Sequence, residues 1–159
     1  MKAFVSYSVT DNNEFILTLL SSKLREKHFS VTTSQNFYAR VLDFNTMTEI
    51  GSSHLFIGLI TGTGNERARV IEEWRYAVQR NIPNLFLIEN TVPVNQDFTG
   101  NYVLFDRKNP QLAINEINRR MTPVNTPTIS PPKSEDVLPW ILGGTALIAI
   151  IALLAKGSK

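Results

Sequence analysis

The chain has no cysteine. That excludes disulfides, thiolate metal sites and a thiol nucleophile. Histidine is almost as scarce: His28 and His54 are the only two, and neither has a partner at ligand spacing. A multi-histidine metal centre is therefore not expected, and no metal site is assigned. Charge of one sign does not accumulate either. Sixteen Lys and Arg oppose fourteen Asp and Glu, and the net charge of +2 is spread along the chain. That leaves no basic footprint for nucleic acid. The opening MKAFVSYSVTDNNEF lacks the apolar run of a signal peptide, because Asp11, Asn12, Asn13 and Glu14 interrupt it. No internal repeat is present.

Against this background one segment is conspicuous. Val137 to Ala155, VLPWILGGTALIAIIALLA, is nineteen residues without a charge. At ~1.5 Å rise per residue it matches the ~30 Å hydrocarbon core of a bilayer. Trp140 sits near one end, where an interfacial aromatic belongs, and Lys156 and Lys159 close the other. The expectation is a tail-anchored membrane helix with the N-terminal domain facing the cytoplasm. The tail lysines run against the preference of positive charge for the inside, but a domain without a signal is hard to export. The alternative is a buried C-terminal helix of a soluble oligomer. Before the run, Thr122 to Asp136 carries Pro123, Pro127, Pro131 and Pro132 among Thr, Ser and Asn. It reads as an extended tether reaching up to ~45 Å at ~3.1 Å per residue. The expected organisation is a domain over 1–121, a Pro-rich linker over 122–136, a membrane helix over 137–155 and a short tail over 156–159.

Within 1–121, strands and helices alternate. Ala3 to Tyr7 predicts a buried first strand. Asp11 followed by Glu14 predicts an N-cap with a capping-box partner. Phe15, Ile16, Leu19, Leu20 and Leu24 recur at helical spacing, and that helix is expected to end near His28. Phe29 to Thr33 alternates as a strand. A helix around Asn45 to Ile50 is expected to stop at Gly51. His54 to Ile60 predicts the strand most buried on both faces. Glu66 to Asn81 predicts a helix with Val70, Trp74, Ala77 and Val78 inward. Leu85 to Ile88 and Tyr102 to Phe105 predict two further strands. Pro110 to Met121 predicts a last helix with Leu112, Ile114 and Ile117 apolar. Apolar strands separated by helices imply an α/β fold: a flavodoxin-like parallel sheet of about five strands, flanked by helices. Ligands in such sheets bind beyond the carboxyl ends of the strands, here Tyr7-Ser8, Thr33-Ser34, Thr61-Gly62 and Ile88-Glu89.

Few residues stand out for chemistry. Thr61-Gly62-Thr63-Gly64-Asn65 follows a strand and precedes a helix, so its N–H groups could face an anion. It lacks the lysine of a P-loop and the third glycine of GxGxxG, which favours a plain loop. Glu72 and Glu73 lie ~100° apart on their helix. Glu72 falls on a face shared with Arg75 and Tyr76, expected to be solvated. Glu73 falls on the flank of the buried stripe, where a carboxylate can look into a cleft. Phe37 and Tyr38 could stack on an aromatic ring, although core packing is the more ordinary role.

Several stretches resemble the Toll/interleukin-1 receptor (TIR) domain family. Phe4-Val5-Ser6-Tyr7 resembles its first box. Thr48 to Thr61 resembles its helix leading into the third strand. Arg69-Val70-Ile71-Glu72-Glu73-Trp74-Arg75-Tyr76-Ala77 is similar to its W-V-x-x-E-[IW]-x-x-A helix, and Asn81 to Ile88 to the strand that follows. The resemblance covers Met1 to about Met121 and is closest to the bacterial type, here joined to a C-terminal membrane helix. It implies cleavage of NAD⁺, as substrate rather than cofactor, at the nicotinamide–ribose bond. Glu73 would be the catalytic carboxylate, with Ser6, Tyr7, Ser8, Phe37, Thr61 and Gly62 lining the substrate site. It also implies a role in defence or cell-death signalling and self-association, through the domain and the membrane helix. The chain departs from the family pattern in three places: Arg69 replaces the tryptophan, Ser8 replaces a residue often basic, and Thr33-Ser34-Gln35 replaces an acidic position. Two other readings stay open. One is a signalling adaptor without catalysis that recruits other TIR domains. The other is an enzyme resembling nucleoside deoxyribosyltransferases.

Overall fold

A computed structural model of the chain describes residues 1–11, 14–34, 42–94 and 100–121. Phe37 and Tyr38, the Pro-rich segment 122–136, the apolar run 137–155 and the tail 156–159 lie outside the described residues. Among the described residues, no helix is long and apolar enough to cross a membrane.

The elements run β1 (Lys2–Ser6), a short 3₁₀ turn (Val9–Asp11), α1 (Phe15–Glu26), β2 (Ser30–Thr32), α2 (Phe44–Gly51), β3 (Leu55–Ile60), α3 (Arg67–Gln79), β4 (Asn84–Glu89), β5 (Tyr102–Phe105) and α4 (Pro110–Met121). The five strands form one sheet in the order β2-β1-β3-β4-β5. Every pairing is parallel. This is the flavodoxin-like arrangement expected from the alternation of elements, and strand order reverses between β1 and β3.

The side-chain alternation of the strands explains the two layers. Ala3, Val5, Leu55, Ile57, Leu59, Leu85, Leu87, Val103 and Phe105 point to one face, where Ile16, Leu20 and Leu24 of α1 and Ile114 and Ile117 of α4 cover them. Phe4, Phe56, Ile60, Phe86 and Ile88 point to the other, where α2 contributes Ile50 and α3 contributes Val70 and Ala77. Strand β3 is buried at all six positions, because it has strands on both sides and helices on both faces.

Several local expectations are corrected. Asp11 does not cap α1. It ends the 3₁₀ turn, fully buried, and Glu14 takes the N-cap position without a side-chain cap bond. A tertiary partner, Thr61, holds the Asp11 carboxylate instead. Gly51 does not stop α2 as a left-handed residue: it is the last helical residue, and Ser52 is the C-cap. At the other end of α2, Asp43 accepts from Thr46 N–H (3.0 Å) and Thr46 Oγ1 (2.8 Å). The Thr46 N–H above all holds the Asp43 carboxyl below the usual carboxylate range. The left-handed positions belong to His28 (φ 62°) and Asn81 (φ 55°), just past α1 and α3. The buried helix stripes are also narrower than the periodicity predicts. Phe15, Val78 and Leu112 are exposed, at 61%, 43% and 64%, while Leu17 and Ala113 are buried.

One glycine is required for packing. A Cβ on Gly58 would stand 2.3 Å from Phe86 Cε1 on the neighbouring strand. The Phe86 ring thus occupies the space above Gly58 and meets Trp74 of α3, with ring centroids 5.5 Å apart. Trp74 Nε1 in turn donates to Asn84 Oδ1 at 2.8 Å. Gly58→Ala is expected to destabilise the fold by roughly 1–3 kcal/mol through overpacking, read as a lower urea midpoint at unchanged m-value.

Candidate active site

The buried face of α3 is Val70, Glu73 and Ala77. A carboxylate on that face, 1% exposed, needs partners, because an unpaired buried charge is very costly. The strand ends supply them. Ser6, the last residue of β1, shares its face with Phe4 and so points at α3. Its Oγ donates to Glu73 Oε2 at 2.5 Å. Ser34, just past β2, donates through Oγ to Glu73 Oε1 at 2.6 Å. Both serines are buried.

The third partner comes from the helix itself. Arg69 lies one turn before Glu73 and donates through Nη1 to Glu73 Oε1 (2.5 Å) and to Ser34 Oγ (2.9 Å). Its Nη2 donates to the Tyr7 carbonyl at 2.5 Å. The guanidinium therefore bridges α3, the end of β1 and the segment after β2. The resulting Arg69–Glu73 ion pair is nearly dry, with the side chains 9% and 1% exposed. Glu72, by contrast, points outward and pairs with Arg75 on the exposed surface, as its position on the helix predicts.

A second polar cluster lies beyond β3 and β4. Thr61 Oγ1 donates to Asp11 Oδ1 at 2.7 Å and accepts from Gly64 N–H at 2.9 Å. Gly62 N–H donates to Glu89 Oε2 at 2.7 Å. Arg107 reaches the same Glu89 oxygen at 3.2 Å and Thr63 Oγ1 at 3.0 Å. Ser8 Oγ accepts from Glu66 N–H at 3.2 Å. The loop 61–65 therefore does not present these two glycine amides to an anion. They are committed to Glu89 and Thr61, and two carboxylates stand beside them. A side chain at Gly64 is excluded too, since its Cβ would be 2.8 Å from Ser8 Oγ and 3.0 Å from Asp11 Oδ2. Burial raises the Asp11 carboxyl above the ordinary carboxylate range, against the lowering effect of the Thr61 hydrogen bond and of Arg107.

Of the residues expected to form the site, the structure gathers Ser6, Glu73 and the Tyr7 carbonyl at one point. Ser8, Thr61 and Gly62 belong to the Asp11 cluster instead. Phe37 lies outside the described residues. Sequence reasoning did not assign Ser34 or Arg69 to the site, nor Asp11, Glu89 and Arg107 to the second cluster. The i, i+4 spacing of Arg69 and Glu73 was a usable signal for the ion pair. Nothing local could have paired Asp11 with Thr61. Among the described residues, no group of three or more His, Asp or Glu could hold a metal ion. No family model matches the chain, and no curated protein matches it.

Removing one member of the buried pair leaves the other uncompensated. Glu73→Ala or Arg69→Ala should each cost about 3–5 kcal/mol. The double variant should cost clearly less than their sum in a double-mutant cycle by urea denaturation. For Asp11, a folded-state pKa above the unfolded value means that the native state binds the proton more tightly. Its contribution is complete below pH ~3.8 and is lost as pH rises through the native pKa. Asp11→Asn, which keeps an acceptor for Thr61, should therefore gain stability relative to the native chain on going from pH 3.5 to pH 7. Paired urea midpoints at the two pH values check this.

Proposed function

We propose that the chain is a membrane-anchored, TIR-like enzyme that cleaves NAD⁺ at the nicotinamide–ribose bond, with Glu73 as its catalytic carboxylate. The observation that carries this reading is the position of Glu73. It is a buried carboxylate, met by two serine hydroxyls where β1 and β2 end, on the side of a parallel sheet where ligands bind. In the reaction, the C1′–N bond breaks and its electron pair goes to the pyridinium nitrogen, so nicotinamide leaves neutral and needs no strong general acid. The sugar becomes oxocarbenium-like, and Glu73 offers it a nearby negative charge. Water then adds at C1′ and releases a proton, giving ADP-ribose, or a hydroxyl of the same molecule adds to give a cyclic product. Ser6 and Ser34 orient the carboxylate. Arg69, which stands at the tryptophan position of the family pattern, shares Oε1 with any incoming cationic substrate and must swing aside for turnover. The apolar run 137–155 would hold the domain at a membrane with its N-terminal part in the cytoplasm. There it would raise the effective concentration for self-association, consistent with a role in defence or cell-death signalling.

The same geometry also favours a second reading, an adaptor without catalysis. Both Glu73 oxygens are already engaged and the side chain is almost fully enclosed, as expected of a carboxylate that only ties α3 to the sheet. The deciding measurement is NAD⁺ consumption by the full chain reconstituted densely in lipid vesicles. The enzyme reading expects turnover that falls by about a hundredfold or more in Glu73→Gln, with separation of the products deciding between hydrolysis and cyclisation. Equal turnover in Glu73→Gln would remove Glu73 from the chemistry. No turnover at high surface density would leave the adaptor reading. Release of free base from deoxynucleosides, with NAD⁺ untouched, would point to deoxyribosyl transfer.

A further inference from the structure

On the face of β1 opposite Glu73, α1, β1 and β2 enclose a cleft of about 600 Å³, within the range of small-molecule sites. It exists because β2 is a three-residue edge strand and because α1 turns small residues toward that edge. Leu20 and Leu24 take the inner stripe of α1, and Thr18, Ser21 and Ser22 line the cleft beside them. Val5 and Val31 make an apolar floor.

Two features of the lining suit a polar, anionic ligand. Thr18, Ser21 and Ser22 set hydroxyl-bearing residues along the α1 side of the cleft. Arg25 also lines the cleft and is exposed. The carboxylate beside it, Glu26, is taken by Lys23 at 2.7 Å, and no described side chain pairs with Arg25. The cleft therefore offers hydroxyls that both donate and accept, an apolar floor, and one guanidinium that no described side chain engages.

We propose that this cleft binds a pentose phosphate group. Hydroxyls of Thr18, Ser21 and Ser22 match a sugar, which also donates and accepts at each oxygen. The valine floor suits the C–H face of the ring. The guanidinium fork of Arg25 suits a phosphate. The group can come from a free sugar phosphate or from a nucleotide; in the second case the half-buried Tyr7, at the β1 end of the cleft, adds a surface for the base. The adjacent pairs Ser6-Tyr7 and Thr33-Ser34 each send one side chain to Glu73 and one to the cleft. The cleft is nevertheless a separate site, and the inference stands whether or not Glu73 is catalytic.

The test is calorimetric titration of the full chain in detergent micelles with ribose 5-phosphate, AMP, adenosine and inorganic phosphate. Saturable binding of ribose 5-phosphate or AMP is expected, and both should exceed adenosine and inorganic phosphate. Tighter binding of AMP would identify a nucleotide as the source, and equal binding a free sugar phosphate. Arg25→Gln should weaken binding about tenfold or more. Ser22→Leu, which fills the cleft from an exposed position, should abolish it, while Glu73→Gln still binds. Circular dichroism verifies that each variant is folded. Absence of saturable binding would overturn the proposal. So would binding that survives both cleft variants, or binding lost only in Glu73→Gln.

Discussion

The contact of Phe86 with the bare backbone of Gly58 sets how α3 lies on the sheet. Because residue 58 has no side chain, the Phe86 ring lies across β3 rather than being pushed away from it. Trp74 then rests on Phe86 and is pinned by its N–H to Asn84. With Trp74 fixed, the rotation of α3 about its own axis is fixed as well, and its preceding residue, Glu73, faces Ser6 and Ser34. An apolar contact in the middle of the sheet thus places a charged group at its edge. The placement tolerates little slack, since the interior is packed at crystal-like density and cannot absorb a rotated helix.

The two polar clusters at the carboxyl ends of the strands solve the same problem differently. Around Glu73 the charge is neutralised locally by Arg69, one turn away on the same helix, and the serines only complete the hydrogen bonds. Around Asp11 and Glu89 a single arginine, Arg107, serves several carboxylates: it pairs with Glu14 and Glu89 and acts on Asp11 through space. The first arrangement is compact and dry. The second is partly solvated and has excess negative charge, which makes it hostile to phosphate despite its two glycines.

The fold was legible because the alternation of apolar runs is a property of each segment alone. Strand β5 and helix α4 have the limits that their patterns predicted, and β3 is as buried as its unbroken apolar run implied. The site was only half legible. Glu73 could be found from its place on the α3 stripe, because helical geometry decides which glutamate turns inward. Ser34 and Arg69 could not be ranked the same way. An arginine at a stripe position reads as a surface residue until the strand ends that accept its hydrogen bonds are in place. Asp11 departs from its local pattern for the opposite reason. Its spacing to Glu14 satisfies a local rule, but Thr61, fifty residues further on, outcompetes the helix end for its carboxylate. The exposed Phe15, Val78 and Leu112 mark the remaining error, since periodicity gives the centre of a stripe better than its width.

The two helical layers differ in how the chain completes them. Helices α2 and α3 are consecutive, so their layer closes over a short stretch of sequence. Helices α1 and α4, which pack against each other, come from opposite ends of the domain. Until α4 is in place, no other described element covers the apolar surface of β4, β5 and the outer side of α1. During synthesis this layer must therefore stay open while most of the domain is made, and α4 acts as its seal. Bringing its two halves together closes a loop that spans most of the domain, the kind of contact that slows folding. Loss of α4 would expose a sheet face rather than merely shorten the chain.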